Sequence, residues 1–110
     1  MPTTADAYGN MTVLYVEPAL AQDESGVFRR VVGEQIQAGG RWFVLDLGRV
    51  GLFDSAGLED LLWFHDQVDA VRGVVKVSGL KAHGRKIFEM VRFDKKFEVF
   101  DNVHEAVKSF

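Results

Sequence analysis

An α/β layer fold is the class that this 110-residue chain predicts, and three observations predict it. Apolar runs of strand length alternate with segments whose apolar residues recur at helical spacing, along the whole chain. One run, residues 42–47 (WFVLDL), is almost continuously apolar, as expected of a central strand covered on both faces. Two prolines and no low-complexity tract leave that alternation uninterrupted. The order that results is strand, helix, four times over.

Residues 1–10 are small and polar and read as a loose N-terminal leader, with a single domain from 11 to 110. Residues 11–16 (MTVLYV) make the first strand, and Pro18 stops it or confines it to an edge, because proline brings no N–H to a ladder. Asp23-Glu24-Ser25-Gly26 opens a helix in which Val27, Phe28, Val31, Val32 and Ile36 build one apolar side. Gly39-Gly40 ends it. After the central strand, a connector over 48–53 containing two glycines leads into a second helix over about 55–70. There Leu58, Leu61, Leu62, His65 and Val68 recur at helical spacing, while Glu59, Asp60, Asp66 and Asp69 form the wet side. Gly73 marks its end, and residues 74–77 give a short strand. Residues 81–91, with Ile87, Phe88 and Val91, read as a third helix whose first turn Gly84 weakens by about 1 kcal/mol relative to alanine. Residues 97–100 form a last short strand, and Asn102 caps a terminal helix bearing Val103, Ala106, Val107 and Phe110.

Composition narrows the function. With 47% hydrophobic residues, the chain fits one compact domain. Zero cysteines exclude a disulfide scaffold, a thiolate nucleophile and a thiolate metal site, and point to a reducing, cytoplasmic setting. No apolar run approaches the roughly 18 residues that span a bilayer, so membrane insertion is not expected. Net charge is −3, but eight cations (Arg72, Lys76, Lys81, Arg85, Lys86, Arg92, Lys95, Lys96) face only Glu89 and Asp94 between residues 72 and 96. That asymmetry either solvates a face or steers a protein partner. Nucleic acid is not the expected partner, because no aromatic and basic platform recurs at strand spacing.

Asp54-Ser55 is the pair that bears on chemistry. It stands where the second helix starts, and up to four backbone amides there lack intrahelical partners. Capping by either side chain, worth about 1 kcal/mol, is the plain reading. The surroundings add a second one: a glycine-bearing connector, Phe53 expected to be exposed just before the pair, and Ala56-Gly57-Leu58 after it. A phosphate on Ser55 would bring about 1.5 to 2 negative charges, which a helix N-terminus tolerates and a docked partner does not. A catalytic centre is not legible. His65, His83 and His104 lie far apart, no Gly-x-Ser-x-Gly elbow is present, and residues 33–40 lack the lysine of a phosphate loop. Asp46 ends the central strand as a phospho-accepting aspartate would, but Glu17-Pro18 is a poor substitute for the acidic pair such a site needs. No cofactor and no metal is implied. Of Phe53, Trp63 and Phe64, one or more is expected at the surface, since consecutive residues cannot share one helix stripe.

The pattern Val44-Leu-Asp-Leu47, then Phe53-Asp-Ser-Ala-Gly-Leu58, then residues 87–101 (IFEMVRFDKKFEVFD) followed by 103–107 resembles the STAS domain family, in particular the bacterial anti-sigma factor antagonists. The resemblance implies a STAS-like fold: a mixed four- or five-stranded sheet covered by about four helices, on one side. It implies that Ser55 is the serine phosphorylated by a cognate anti-sigma factor acting as serine kinase, with Asp54 its motif neighbour and Gly57 permitting close approach of the partner. A separate phosphatase would reset the switch, and the nucleotide would belong to the kinase. Family members commonly carry a Gly-Glu-Leu-Asp-like stretch before the first helix, where this chain reads Glu17-Pro-Ala-Leu-Ala-Gln-Asp-Glu24, with Leu20 and Asp23 but no glycine. The partner-binding set that the resemblance implies is Asp23, Phe53, Asp54, Ser55, Ala56, Gly57 and Leu58.

Three functions compete on these grounds. The first is a phosphorylation-controlled antagonist that binds an anti-sigma factor. The second is a STAS scaffold, never phosphorylated, that assembles with sensors, transporters or phosphatases. The third, an enzyme or nucleotide-binding domain, lacks the acid-base, metal and phosphate-cradling residues it needs. A homodimer is left open.

Overall fold

The computed structural model describes residues 3–17, 19–21 and 25–110. The chain begins with β1 (Thr3–Tyr8) and β2 (Met11–Val16), joined by a two-residue turn in which Gly9 takes φ 67°, a left-handed value that such hairpins favour. Next come β3 (Ala19–Leu20), α1 (Ser25–Gln37), β4 (Trp42–Asp46), β5 (Leu52–Phe53) and α2 (Ser55–Ala70). Then follow β6 (Val74–Ser78), α3 (Ala82–Met90), α4 (Phe93–Lys96), β7 (Glu98–Phe100) and α5 (Val103–Lys108). A five-stranded mixed sheet has the order β1-β2-β4-β6-β7, and β3 and β5 form a two-stranded sheet of their own. The α/β class and the mixed sheet agree with expectation.

The expected loose leader is corrected. Residues 3–8 pair antiparallel with β2 in unbroken register, from Thr3↔Val16 to Tyr8↔Met11. Their own side chains bury little, so the strand is held by its ladder and by α1 rather than by an apolar pattern. Beyond β1 every neighbouring pair in the sheet is parallel, and βαβ connections supply the helices that cover it.

Side-chain alternation sorts the core into two layers. On one face Leu14, Val16, Phe43, Leu45 and Val77 meet Phe28 and Val32 of α1, Leu61, Phe64 and Val68 of α2, and Phe88 of α3. Phe64 stands edge-on to both Phe28 and Phe43, at 5.6 and 5.5 Å between centroids. The opposite face carries Val13 and Val44, which pack on Ala106 of α5 with Phe100, Val103, Val107 and Phe110 around them. Helices thus cover both sides rather than one, because Val13 of β2 and Val44 of β4 are apolar on the second face as well, and α5 buries them. Lys76 on that second face is buried: its Nζ donates to Ser109 O at 3.1 Å and Ser109 Oγ at 2.7 Å, and lies 4.3 Å from the Phe110 ring centroid. No described helix is long and apolar enough to cross a membrane.

Tyr15, also on the second face, has its phenol raised above the ordinary 10.0, first by burial and then by the carboxylates of Asp6 and Asp46. A raised pKa in the folded state means that the neutral phenol is favoured there. The stability it contributes is intact below about pH 10 and is lost as pH rises through the folded value. In a Tyr8→Phe background, tyrosinate absorbance should therefore titrate late, and Asp6→Asn should draw the midpoint back down; an unmoved midpoint would show that the Asp6 charge is not felt.

Candidate functional site

The N-terminus of α2 is built at the carboxyl end of the sheet. β4 ends at Asp46, whose Oδ1 accepts from Ser78 Oγ at 3.1 Å, a hydroxyl rather than the second carboxylate of a phospho-acceptor site. The chain then loops to β5, which pairs with β3 through Ala19↔Leu52 and Leu20↔Phe53. Asp54 N–H donates to the Leu20 carbonyl at 3.3 Å. With φ −114° and ψ 177°, Asp54 is the extended N-cap, and its Oδ1 accepts from Gly57 N–H at 2.8 Å. The carboxylate thus occupies the amide-rich mouth of the helix, where negative charge is favoured.

Ser55 is the first residue of α2 and is exposed. Asp54 does the capping that either residue was suited to, so the Ser55 hydroxyl is not needed for it. Along the helix, Ser55, Glu59, Leu62 and Asp66 lie at i, i+4, i+7 and i+11, one outward stripe, and all are exposed. Leu62 therefore leaves the apolar face assigned to it. Leu52, just before the site, is 56% exposed. Two leucines accordingly flank the hydroxyl in sequence.

Two expected site residues, Phe53 and Gly57, take other places. Phe53, expected at the surface, is half-buried: its ring meets Phe88 at 6.5 Å in a T-shaped contact. Gly84 of α3 makes room for it, since a Cβ there would lie 3.3 Å from the Phe53 ring and 2.8 Å from Leu80 Cδ2. Gly57 is buried, and a Cβ on it would overlap the Leu20 carbonyl and reach Ala21 N at 3.0 Å. The close approach it permits in this structure is that of its own chain, at Leu20. Ala56 and Leu58 are half-buried beside the cap. Asp23 lies outside the described residues, as does Pro18.

Asp60, placed on the wet side by the sequence, is 1% exposed. Its Oδ1 accepts from Ser25 Oγ at 2.9 Å and Arg29 Nε at 2.8 Å, both on α1, while Oδ2 has no partner among the described residues. Arg29 in turn lies 4.7 Å over the Trp63 ring. This clamp between α1 and α2 has no local sequence signal, because its members are more than 30 residues apart. Of the histidines, His65 is half-buried and edge-on to Phe97, and His83 and His104 are exposed. Among the described residues, no group of three His, Cys, Asp or Glu could hold a metal ion.

A family model described as STAS domain matches residues 3–106. The chain is 29% identical over 110 residues to a protein of Bordetella bronchiseptica named "Putative anti-sigma factor antagonist BtrV", covering 100% of this chain and 95% of that one. It superimposes with a TM-score of 0.85 on the crystal structure of an anti-sigma factor antagonist from Mycobacterium paratuberculosis, at 18% identity, covering 97% of this chain and 91% of that one. Against the phosphorylated form of the Bacillus cell fate determinant SpoIIAA the TM-score is 0.78, at 16% identity, covering 97% of both chains. At such identities the two structures establish the fold.

Proposed function

Because the chain belongs to the STAS domain family, we propose that it is an anti-sigma factor antagonist, a protein-binding regulator of transcription whose hold on a cognate anti-sigma factor is switched off by phosphorylation of Ser55. The observation that carries this reading is the division of labour at the mouth of α2. Asp54 caps the helix through the Gly57 N–H, and Ser55 presents its hydroxyl to solvent. The Bordetella relative's name and the existence of SpoIIAA in a phosphorylated form support it.

The switch follows from electrostatics. A kinase transfers the terminal phosphoryl group of ATP to Ser55 Oγ, which gives up its proton, and a phosphatase later hydrolyses the ester with water. The phosphate adds about 1.5 to 2 negative charges beside Asp54. Within the free protein the helix N-terminus and open solvent accommodate them. A partner that had closed over a neutral hydroxyl, with Leu52 and Leu62 as apolar anchors, would have to desolvate a dianion next to a carboxylate. Phosphorylation therefore weakens the complex without unfolding the antagonist. The partners are an anti-sigma factor that acts as serine kinase and a cognate phosphatase; the nucleotide is held by the kinase.

The test is calorimetry against the serine-kinase anti-sigma factor encoded nearest the gene. Ser55→Ala should bind about as tightly as the parent, and Ser55→Asp at least about tenfold more weakly, a difference of ~1.4 kcal/mol. Equal binding by both would make the chain a constitutive scaffold.

A further inference from the structure

We propose that the outer edge of β1 pairs antiparallel with the same edge of a second copy of this chain, so that two five-stranded sheets join into one. β1 is the terminal strand of the sheet. Its inner edge is matched to β2 over all six residues, and no backbone hydrogen bond to its outer edge is present among the described residues. Edge strands of stable monomers are usually guarded by proline, lysine, a bulge or a covering loop. The strand TTADAY has no proline, no lysine and no bulge, since its register with β2 skips no residue. Asp6 is its one charge.

The side chains select the partner and the register. Two identical edges match by construction, giving a closed, isologous contact. Among registers that keep the helices of both copies on common faces, centring on Asp6 would set two carboxylates opposite each other. Centring on Ala5 instead places Thr4 beside Asp6 of the second copy, and Asp6 beside the second copy's Thr4. Thr4 and Asp6 are both exposed and stand on the same face of the strand. A hydroxyl donor thus meets a carboxylate acceptor twice in each dimer. Small Ala5 and Ala7 leave the strands free to approach. Ser55 lies on another element, so this proposal and the phosphorylation reading stand or fall separately.

Sedimentation equilibrium of the full, unmodified chain tests it. The mass should rise with concentration towards that of a dimer. Because each substitution acts twice by symmetry, Thr4→Asp should weaken the dimer about fivefold by opposing carboxylates, and Thr4→Lys should tighten it by about as much. The same two changes at Gln67, exposed on α2, control for net charge and should leave it unmoved. Thermal melts that match the parent establish that the Thr4 variants are folded. A chain that stays monomeric at millimolar concentration overturns the proposal, and so do Thr4 variants that behave like their Gln67 counterparts.

Discussion

Replacing Gly57 with alanine is expected to destabilise the domain by at least about 3 kcal/mol, lowering Tm by roughly 10 to 20 °C. The methyl group would overlap the carbonyl of Leu20, a backbone atom that cannot rotate aside. That carbonyl is also fixed from the other side, because it accepts the Asp54 N–H and belongs to the β3–β5 pairing. Relief requires α2 and β3 to part, and parting them removes the Leu20 partner of Asp54 and tilts the turn that presents Ser55. On the proposed function, the loss of stability should therefore come with slower phosphorylation and weaker partner binding, even below the new Tm. Gly33 provides the contrast. It sits inside α1 with nothing within 4 Å of a built Cβ, so Gly33→Ala should stabilise the protein by about 0.5 to 1 kcal/mol through helix propensity alone. Chemical denaturation of the two variants checks the sign of each effect. A Gly57→Ala protein as stable as its parent would mean that the contact with Leu20 yields freely.

The contrast between these glycines shows what the sequence could convey. Local patterns were legible: residues 11–16, the helix from 55 to 70 and the Asn102 cap, whose side chain accepts from Glu105 N–H at 2.9 Å, each depend on spacing within a few residues. The Asp54 cap is legible for the same reason, being a bond between residues three apart. Only the family resemblance marked Gly57 as a position of close approach, and toward a partner; its neighbour in the structure, Leu20, is 37 positions earlier, and no periodicity points there. β1 escaped detection because TTADAY offers almost no large apolar side chains; its conformation is imposed by β2. The mini-sheet of β3 and β5 has two residues a strand, and α4 one turn, too short for any period to register. Phe53 looked exposed only because the glycine that seats it, Gly84, belongs to a helix 30 residues on. Asp60 is the plainest case: on a helical wheel it is polar surface, and only α1 makes it interior.

That buried carboxylate leads to an asymmetric expectation: Arg29→Ala should cost more than Asp60→Ala. Side-chain exposure is 42% for Arg29 and 2% for Asp60. Deleting the aspartate leaves a guanidinium that can regain water and keep its stack on Trp63, and it also removes Oδ2, a buried oxygen with no partner among the described residues. The loss should be confined to about 1 to 2 kcal/mol of hydrogen bonding from Ser25 and Arg29. Deleting the arginine leaves a carboxylate in the interior with the Ser25 hydroxyl as its remaining donor among the described residues, and forfeits the cation–π contact. Uncompensated buried charge is the expensive outcome, and about 3 kcal/mol or more is expected. Measured by denaturation, the double variant should then be more stable than Arg29→Ala alone, because it no longer buries the charge. This ordering matters for the site, since Ser25 and Arg29 tie the start of α1 to Asp60, five residues along α2 from Ser55. If Asp60→Ala proves as damaging as Arg29→Ala, the carboxylate is a net stabiliser, and the clamp is a feature of the core rather than a device for aligning two helices.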